Sequence, residues 1–189
     1  MRPAGLARRG AGRQPAPMSA EMNTGQMSTG ATMRQHAAAV TLLAAAAPLV
    51  ALASERFLEM APCALCLWQR WPYWLAAVLA ALAAGLRSRP LLALAGLAVL
   101  VSGAIAALHV GVEGGWWPSP LPSCAAPTAG ATMSVDDLMR SLAARPAKPC
   151  DAAAYLIPGL PVSMAAMNLL YALALGALAL TWSRRGAQR

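Results

Sequence analysis

Charge is scarce in this chain. Asp, Glu, Lys and Arg together make up 12% of its 189 residues, while 58% are apolar. A soluble domain carries about a quarter charged and about half apolar residues, so the composition argues against one and for a membrane protein. Acidic residues are scarcer still, 7 against 15 basic, for a net charge of +8. With so few charges, their placement decides what the excess means, and it is not that of a nucleic-acid surface. Alternating strand-like segments are missing, which argues against a membrane β-barrel. There is no Gly-rich nucleotide fingerprint, no metalloprotease helix and no supported Ser/His/Asp arrangement. Flavin and haem signatures are missing too.

What is present is a set of four apolar runs, 37–54, 67–86, 91–110 and 162–182. Each is long enough to cross about 30 Å of hydrocarbon at 1.5 Å per residue. Arg70 is the one formally charged residue within them, and Gln69, His109 and Asn168 are the notable polar ones. The expected architecture is an all-α membrane protein, a bundle of four transmembrane helices over 37–182. Outer loops at 55–66 and 111–161 and a tail at 183–189 complete it. Residues 1–36 form an N-terminal extension; the first 33 are rich in Gly, Pro, Arg and Met without apolar periodicity, and disorder is expected there. Met18, Met22, Met27 and Met33 are alternative starts, and Ala51-Leu52-Ala53 has the form of a signal-peptide cleavage site. Cleavage there would leave the orientation of the rest unchanged.

Arg2, Arg8, Arg9, Arg13, Arg34, Arg87, Arg89, Arg184, Arg185 and Arg189 lie on one side of the runs, with Glu21 as the sole acid. On the other side, Arg56, Arg70, Arg140, Arg145 and Lys148 are balanced by Glu55, Glu59, Glu113, Asp136, Asp137 and Asp151. The positive-inside rule then places both termini in the cytoplasm.

All four cysteines, Cys63, Cys66, Cys124 and Cys150, fall in the outer connections or at their membrane edge. Outside a bacterial cytoplasm thiols pair, so two structural disulfides are one reading. Cys63-Ala-Leu-Cys66 closes too small a loop to constrain an unfolded chain much, which suits exchange better than stapling. Following Pro62 at the start of the second run, it meets unpaired N–H groups and the helix dipole, both of which favour a thiolate. Arg70 lies one turn beyond Cys66 on the same helical face. It either stabilises an anion at the membrane surface or snorkels to the headgroups. Cys124 and Cys150 form either a staple worth about 3 kcal/mol or a relay to the first pair. Between them, Ser134 is placed to cap a short amphipathic helix with Val135, Leu138, Met139 and Leu142 on one face. His109 forms an interhelical hydrogen bond or assists proton uptake, and Asn168 joins helices. Trp116 and Trp117 are interfacial anchors. Zinc on the four cysteines would need a second close-spaced couple, which the sequence lacks. Catalysis on sulfur at the bilayer edge needs a terminal oxidant, and a diffusible two-electron quinone fits without a binding motif.

Three segments carry a resemblance: Pro62-Cys-Ala-Leu-Cys-Leu-Trp-Gln-Arg70, His109-Val-Gly-Val-Glu113, and Cys150-Asp with Pro-Gly-Leu-Pro-Val-Ser-Met-Ala-Ala-Met-Asn168. From about 37 to 182 the chain resembles the disulfide bond formation protein B (DsbB) family. The resemblance implies a multi-pass bacterial inner-membrane protein with its cysteines facing the periplasm. It would reoxidise a DsbA-like thioredoxin-fold oxidase and reduce ubiquinone or menaquinone. By that analogy Cys124 is attacked by the partner thiolate, Cys150 is its mate, and Cys63 and Cys66 receive the electrons. Cys66 and Arg70 would contact the quinone, with His109 near the same ring. Two rivals stand beside it. A vitamin K epoxide reductase-like bundle would carry its quinone-facing CXXC at the last span, whereas here it opens the second. The other is a non-enzymatic membrane protein with two structural disulfides.

Overall fold

A computed structural model of the chain describes residues 18–121, 124, 148–157 and 159–185, with side chains in the first helix from residue 32 onward. The described residues form four helices and no strand: α1 Met18–Phe57, α2 Ala64–Leu86, α3 Arg89–Glu113 and α4 Met164–Arg185. Three stretches are long and apolar enough to cross a membrane, Thr32–Phe57, Arg89–Glu113 and Met164–Arg185. The second helix differs from the other three because its outer half concentrates Gln69, Arg70 and Pro72 among Trp68, Trp71 and Trp74.

Backbone chemistry sets the helix ends. Cys63 caps α2, its sulfur accepting the Cys66 N–H at 3.2 Å. At the other end Arg87 turns into the left-handed region, φ 52°, and Ser88 immediately begins α3 with Pro90 in its first turn. Ser163 caps α4 by accepting the Ala166 N–H at 3.2 Å. The N-terminal boundary differs from the sequence expectation: α1 starts at Met18, within the segment expected to be disordered. Residues 18–36 mix good helix formers such as Ala, Met, Gln and Glu with the weaker Gly25, Gly30 and three threonines, and a helix already nucleated by the span is spared the cost of a new nucleus in extending through them. The amphipathic helix expected around 134–142 lies outside the described residues.

The helices follow one another around the bundle: α1 packs on α2, α2 on α3 and α3 on α4, while α4 closes more loosely on α1. His36 stacks on Trp182 with ring centroids 4.3 Å apart, so the inner parts of α1 and α4 share one end of the bundle. Buried positions are mostly small: Ala37, Val40 and Ala44 on α1, Ala76, Ala80 and Ala83 on α2, Ala95, Val99 and Ala106 on α3, Ala172 and Ala179 on α4. Small side chains let backbones approach where dispersion rather than water drives packing. Gly96 and Gly176 bring α3 and α4 close: a methyl at Gly96 would meet the Ala179 Cβ at 3.1 Å and the Gly176 carbonyl at 3.3 Å, and one at Gly176 would meet the Leu100 side chain at 2.6 Å. The large apolar side chains point outward, among them Leu42, Leu49, Leu75, Val78, Leu94, Val101 and Leu170. Small inside and large outside is the arrangement a hydrocarbon surround favours, because outward leucines lose nothing by facing lipid.

Candidate functional site

Polar groups collect at the end of the bundle where α2 and α4 begin and α3 ends. Cys63 and Cys66 are free thiols with sulfurs 2.7 Å apart. Cys63 is buried at the mouth of α2 and Cys66 is partly exposed, one residue before the apolar run 67–86. Cys124 and Cys150 are joined in a disulfide, and both are buried against Cys63, Leu65 and Val112. Two cysteine pairs remote in sequence therefore occupy one apolar cluster.

The two free thiols differ in character. The Cys63 thiol donates to the Cys66 sulfur, and that bond, followed by burial and the negative charge on Cys66, pushes the Cys63 thiol up. The same hydrogen bond, then the Cys63 backbone and the Arg70 guanidinium, holds Cys66 down to about 7, against burial and Glu113. Cys66 is thus the thiolate of the pair. Alkylation of the reduced protein at Cys66 is expected to rise through a midpoint near pH 7 and level off above it, because the reactive anion is lost as pH falls through that value. Cys63 stays largely unmodified over the same range, and peptide mass spectrometry after timed quenching reads both sites. A Cys66 profile with the midpoint of an ordinary cysteine, near 8.5, would contradict this assignment.

Arg70 pairs with Glu55 on α1, bridging the two helices at the outer surface. Its Nε is buried and has no hydrogen-bond partner among the described residues. Both residues line a cavity of about 320 Å³ whose wall also includes Pro48, Ala51, Cys66, Gln69, Tyr73, His109, Met167, Asn168 and Tyr171. The loose seam between α1 and α4 leaves this space, and Tyr171 crosses the seam by donating to the Leu43 carbonyl at 2.8 Å.

His109, on α3, lies with Nε2 3.5 Å from the Cys63 sulfur and 3.8 Å from Glu113 Oε1. Its Nδ1 is 3.0 Å from Gln69 Nε2. Glu113 also accepts from the Ser163 hydroxyl, tying the end of α3 to the cap of α4. Trp117 folds back over Gly111 and donates its indole N–H to the Leu108 carbonyl at 3.0 Å. Only a glycine leaves room for that ring, as a Cβ at 111 would overlap it.

All six residues singled out from sequence, Cys63, Cys66, Cys124, Cys150, Arg70 and His109, fall at this end of the bundle. Sequence reasoning did not assign site roles to Glu55, Gln69, Tyr73, Ser102 or Glu113, and treated Asn168 as helix glue. The one signal was that Gln69 and Asn168 are polar residues inside apolar runs. Cys63, Cys66 and His109 also have the donor types and proximity of a metal site, with ligand atoms within 4.8 Å of one another.

Comparison with known proteins gives one family: the model described as DsbB, Disulfide bond formation protein DsbB, matches residues 33–182. No curated protein and no solved structure matches the chain. The matched span covers well over half of the sequence and contains all four helices' apolar parts, the four cysteines, Arg70 and His109, and on that basis the chain belongs to the DsbB family of membrane disulfide oxidoreductases.

Proposed function

We propose that this protein is a thiol:quinone oxidoreductase of the bacterial inner membrane, supporting disulfide bond formation in the periplasm. In this reading α2 also crosses the membrane, making four spans in all, both termini are cytoplasmic, and the cysteine end faces the periplasm. The observation that carries it is the meeting of the Cys124–Cys150 disulfide with the free Cys63/Cys66 pair in one buried cluster beside a cavity. A pair of structural staples would not require that contact, and Cys63 with Cys66 is not a staple here.

The partner is a DsbA-like thioredoxin-fold dithiol. Its thiolate attacks Cys124, the Cys124–Cys150 bond breaks, and Cys150 leaves as the anion. Cys150 shares the buried cluster with Cys63, and in this mechanism its thiolate attacks a Cys63–Cys66 disulfide at Cys63, which releases Cys66 as the thiolate beside Arg70. Exchange with a soluble partner needs the buried Cys124 sulfur brought to the surface.

Quinone chemistry fits the residues present. The cavity is apolar, at the small end of ligand-site volumes, and has Cys66 in its wall. The orphaned Arg70 Nε is a buried donor with unused capacity, suited to a carbonyl oxygen that gains negative charge. Cys66, Arg70 and His109 would hold a ubiquinone or menaquinone head group, which supplies a two-electron, two-proton acceptor for the dithiol. Glu55 fixes the direction of the guanidinium, and the α1 and α4 walls exclude water.

The test is a purified detergent preparation supplied with a reduced thioredoxin-fold partner and a soluble quinone. One quinone reduced for each partner disulfide formed is the expected result. Partner oxidation without quinone consumption would refute it.

A further inference from the structure

The interior polar groups form a chain whose direction is fixed at one end. The Ser102 hydroxyl donates to the Gln69 backbone carbonyl at 2.8 Å, and a carbonyl only accepts. With its hydrogen committed, Ser102 Oγ presents lone pairs to Asn168, whose amide lies 3.4 Å away and must therefore face it with nitrogen. The other hydrogen of that amide goes to Gln69 Oε1 at 2.7 Å, and Asn168 Oδ1 accepts from the Tyr73 hydroxyl at 2.7 Å. Gln69 consequently turns its own NH2 to His109 Nδ1, 3.0 Å away. An amide nitrogen has nothing to accept with, so Nδ1 is the bare nitrogen and the proton of the neutral ring is on Nε2.

Nε2 is the nitrogen that faces Cys63. The other neighbour of Nε2 is Glu113 Oε1, at 3.8 Å beyond hydrogen-bond distance. Beyond Cys63 the direction continues, since the Cys63 thiol donates to the Cys66 sulfur. Hydrogen bonds aligned in one sense polarise one another.

We infer that Ser102, Asn168 and Gln69 are positioning residues that hold His109 as an Nε2–H donor to Cys63, in a one-way hydrogen-bond chain that ends on the Cys66 sulfur. This assigns His109 a role as an electrostatic donor and removes it as the base that takes the Cys63 proton. The inference deepens the proposed oxidase reading, but its geometry exists without quinone or partner. Other charged groups meet the same cluster: Arg70 from α2 favours the Cys66 anion, Glu113 from α3 opposes it, and Lys148 from the outer connection faces His109.

The sequence holds two histidines, so ¹⁵N-histidine labelling of the reduced protein in micelles gives a readable spectrum, with a His36→Gln variant assigning the signals. The expected ring shifts are those of a neutral imidazole with a protonated Nε2 and an unprotonated Nδ1. Gln69→Met removes the donor without adding charge and is expected to mix the two tautomers. It should also lower the fraction of Cys66 alkylated per unit time at pH 7 by about twofold to fivefold, for a shift of half to one pH unit. Gln69→Glu, whose carboxylate accepts from Nδ1–H, is expected to reverse the tautomer. A wild-type His109 protonated on Nδ1 overturns the inference, as does a folded Gln69→Met protein with unchanged tautomer and alkylation profile. Should either variant fail to fold, the wild-type spectrum alone decides. Failure of the quinone assay with the Nε2–H tautomer present would count against the oxidase reading and leave the chain standing.

Discussion

Replacing Cys66 with alanine is expected to bring quinone reduction down to background, no more than about a thousandth of the parent rate, or ~4 kcal/mol of lost transition-state stabilisation. The reason is stoichiometric. Without Cys66 the dithiol has lost one of its two electron-donating sulfurs, and no second thiolate lies beside Arg70. The fold should survive, because the sulfur is partly exposed and the α2 cap is provided by Cys63. The check is quinone absorbance in the partner-coupled assay, alongside a helical circular-dichroism spectrum. A Cys66→Ala protein that reduces quinone at the parent rate would dispose of the mechanism.

The second large effect concerns the outer disulfide. A Cys150→Ala protein has a free Cys124 thiol, and with an oxidised thioredoxin-fold partner it is expected to form a covalent adduct in a large fraction of molecules. The Cys124 thiolate attacks the partner's disulfide, a Cys124–partner bond forms, and the partner's second sulfur leaves as a thiolate. With Cys150 gone, this chain has no mate to displace the partner, and acid quenching prevents reversal by the partner itself. Mass spectrometry of non-reduced peptides should identify Cys124 as the linked residue, and the Cys124→Ala, Cys150→Ala double variant should give none. If no adduct forms, the disulfide is a staple, with loss of about 3 kcal/mol of stability as its sole signature.

Much of this was legible in the residues. Apolar runs locate helices because hydrocarbon demands continuous apolar surface, and α3 and α4 begin and end within a few residues of the expected bounds. The same signal reports lipid contact rather than helix, which is why the start of α1 at Met18 was not readable from it. The facing of Cys66 and Arg70 followed from helical spacing alone. What spacing cannot show is contact between helices: Glu55 with Arg70, Gln69 with His109, and Gln69 with Asn168 join residues 15, 40 and 99 positions apart. Arg70 illustrates the difference. Sequence offered an anion partner or a snorkelling side chain, whereas the folded chain gives it a carboxylate on a neighbouring helix and leaves Nε without a partner among the described residues.

The sulfur of Cys63 performs two tasks that belong to different levels of structure. It stitches the first turn of α2 by accepting the Cys66 N–H, and in the proposed mechanism it belongs to the pair that gains and loses electrons. Secondary structure and oxidation state therefore share an atom. Each electron pair that passes through this protein is also a small mechanical event, a change in how tightly one helix begins, delivered where the outer connection meets the membrane.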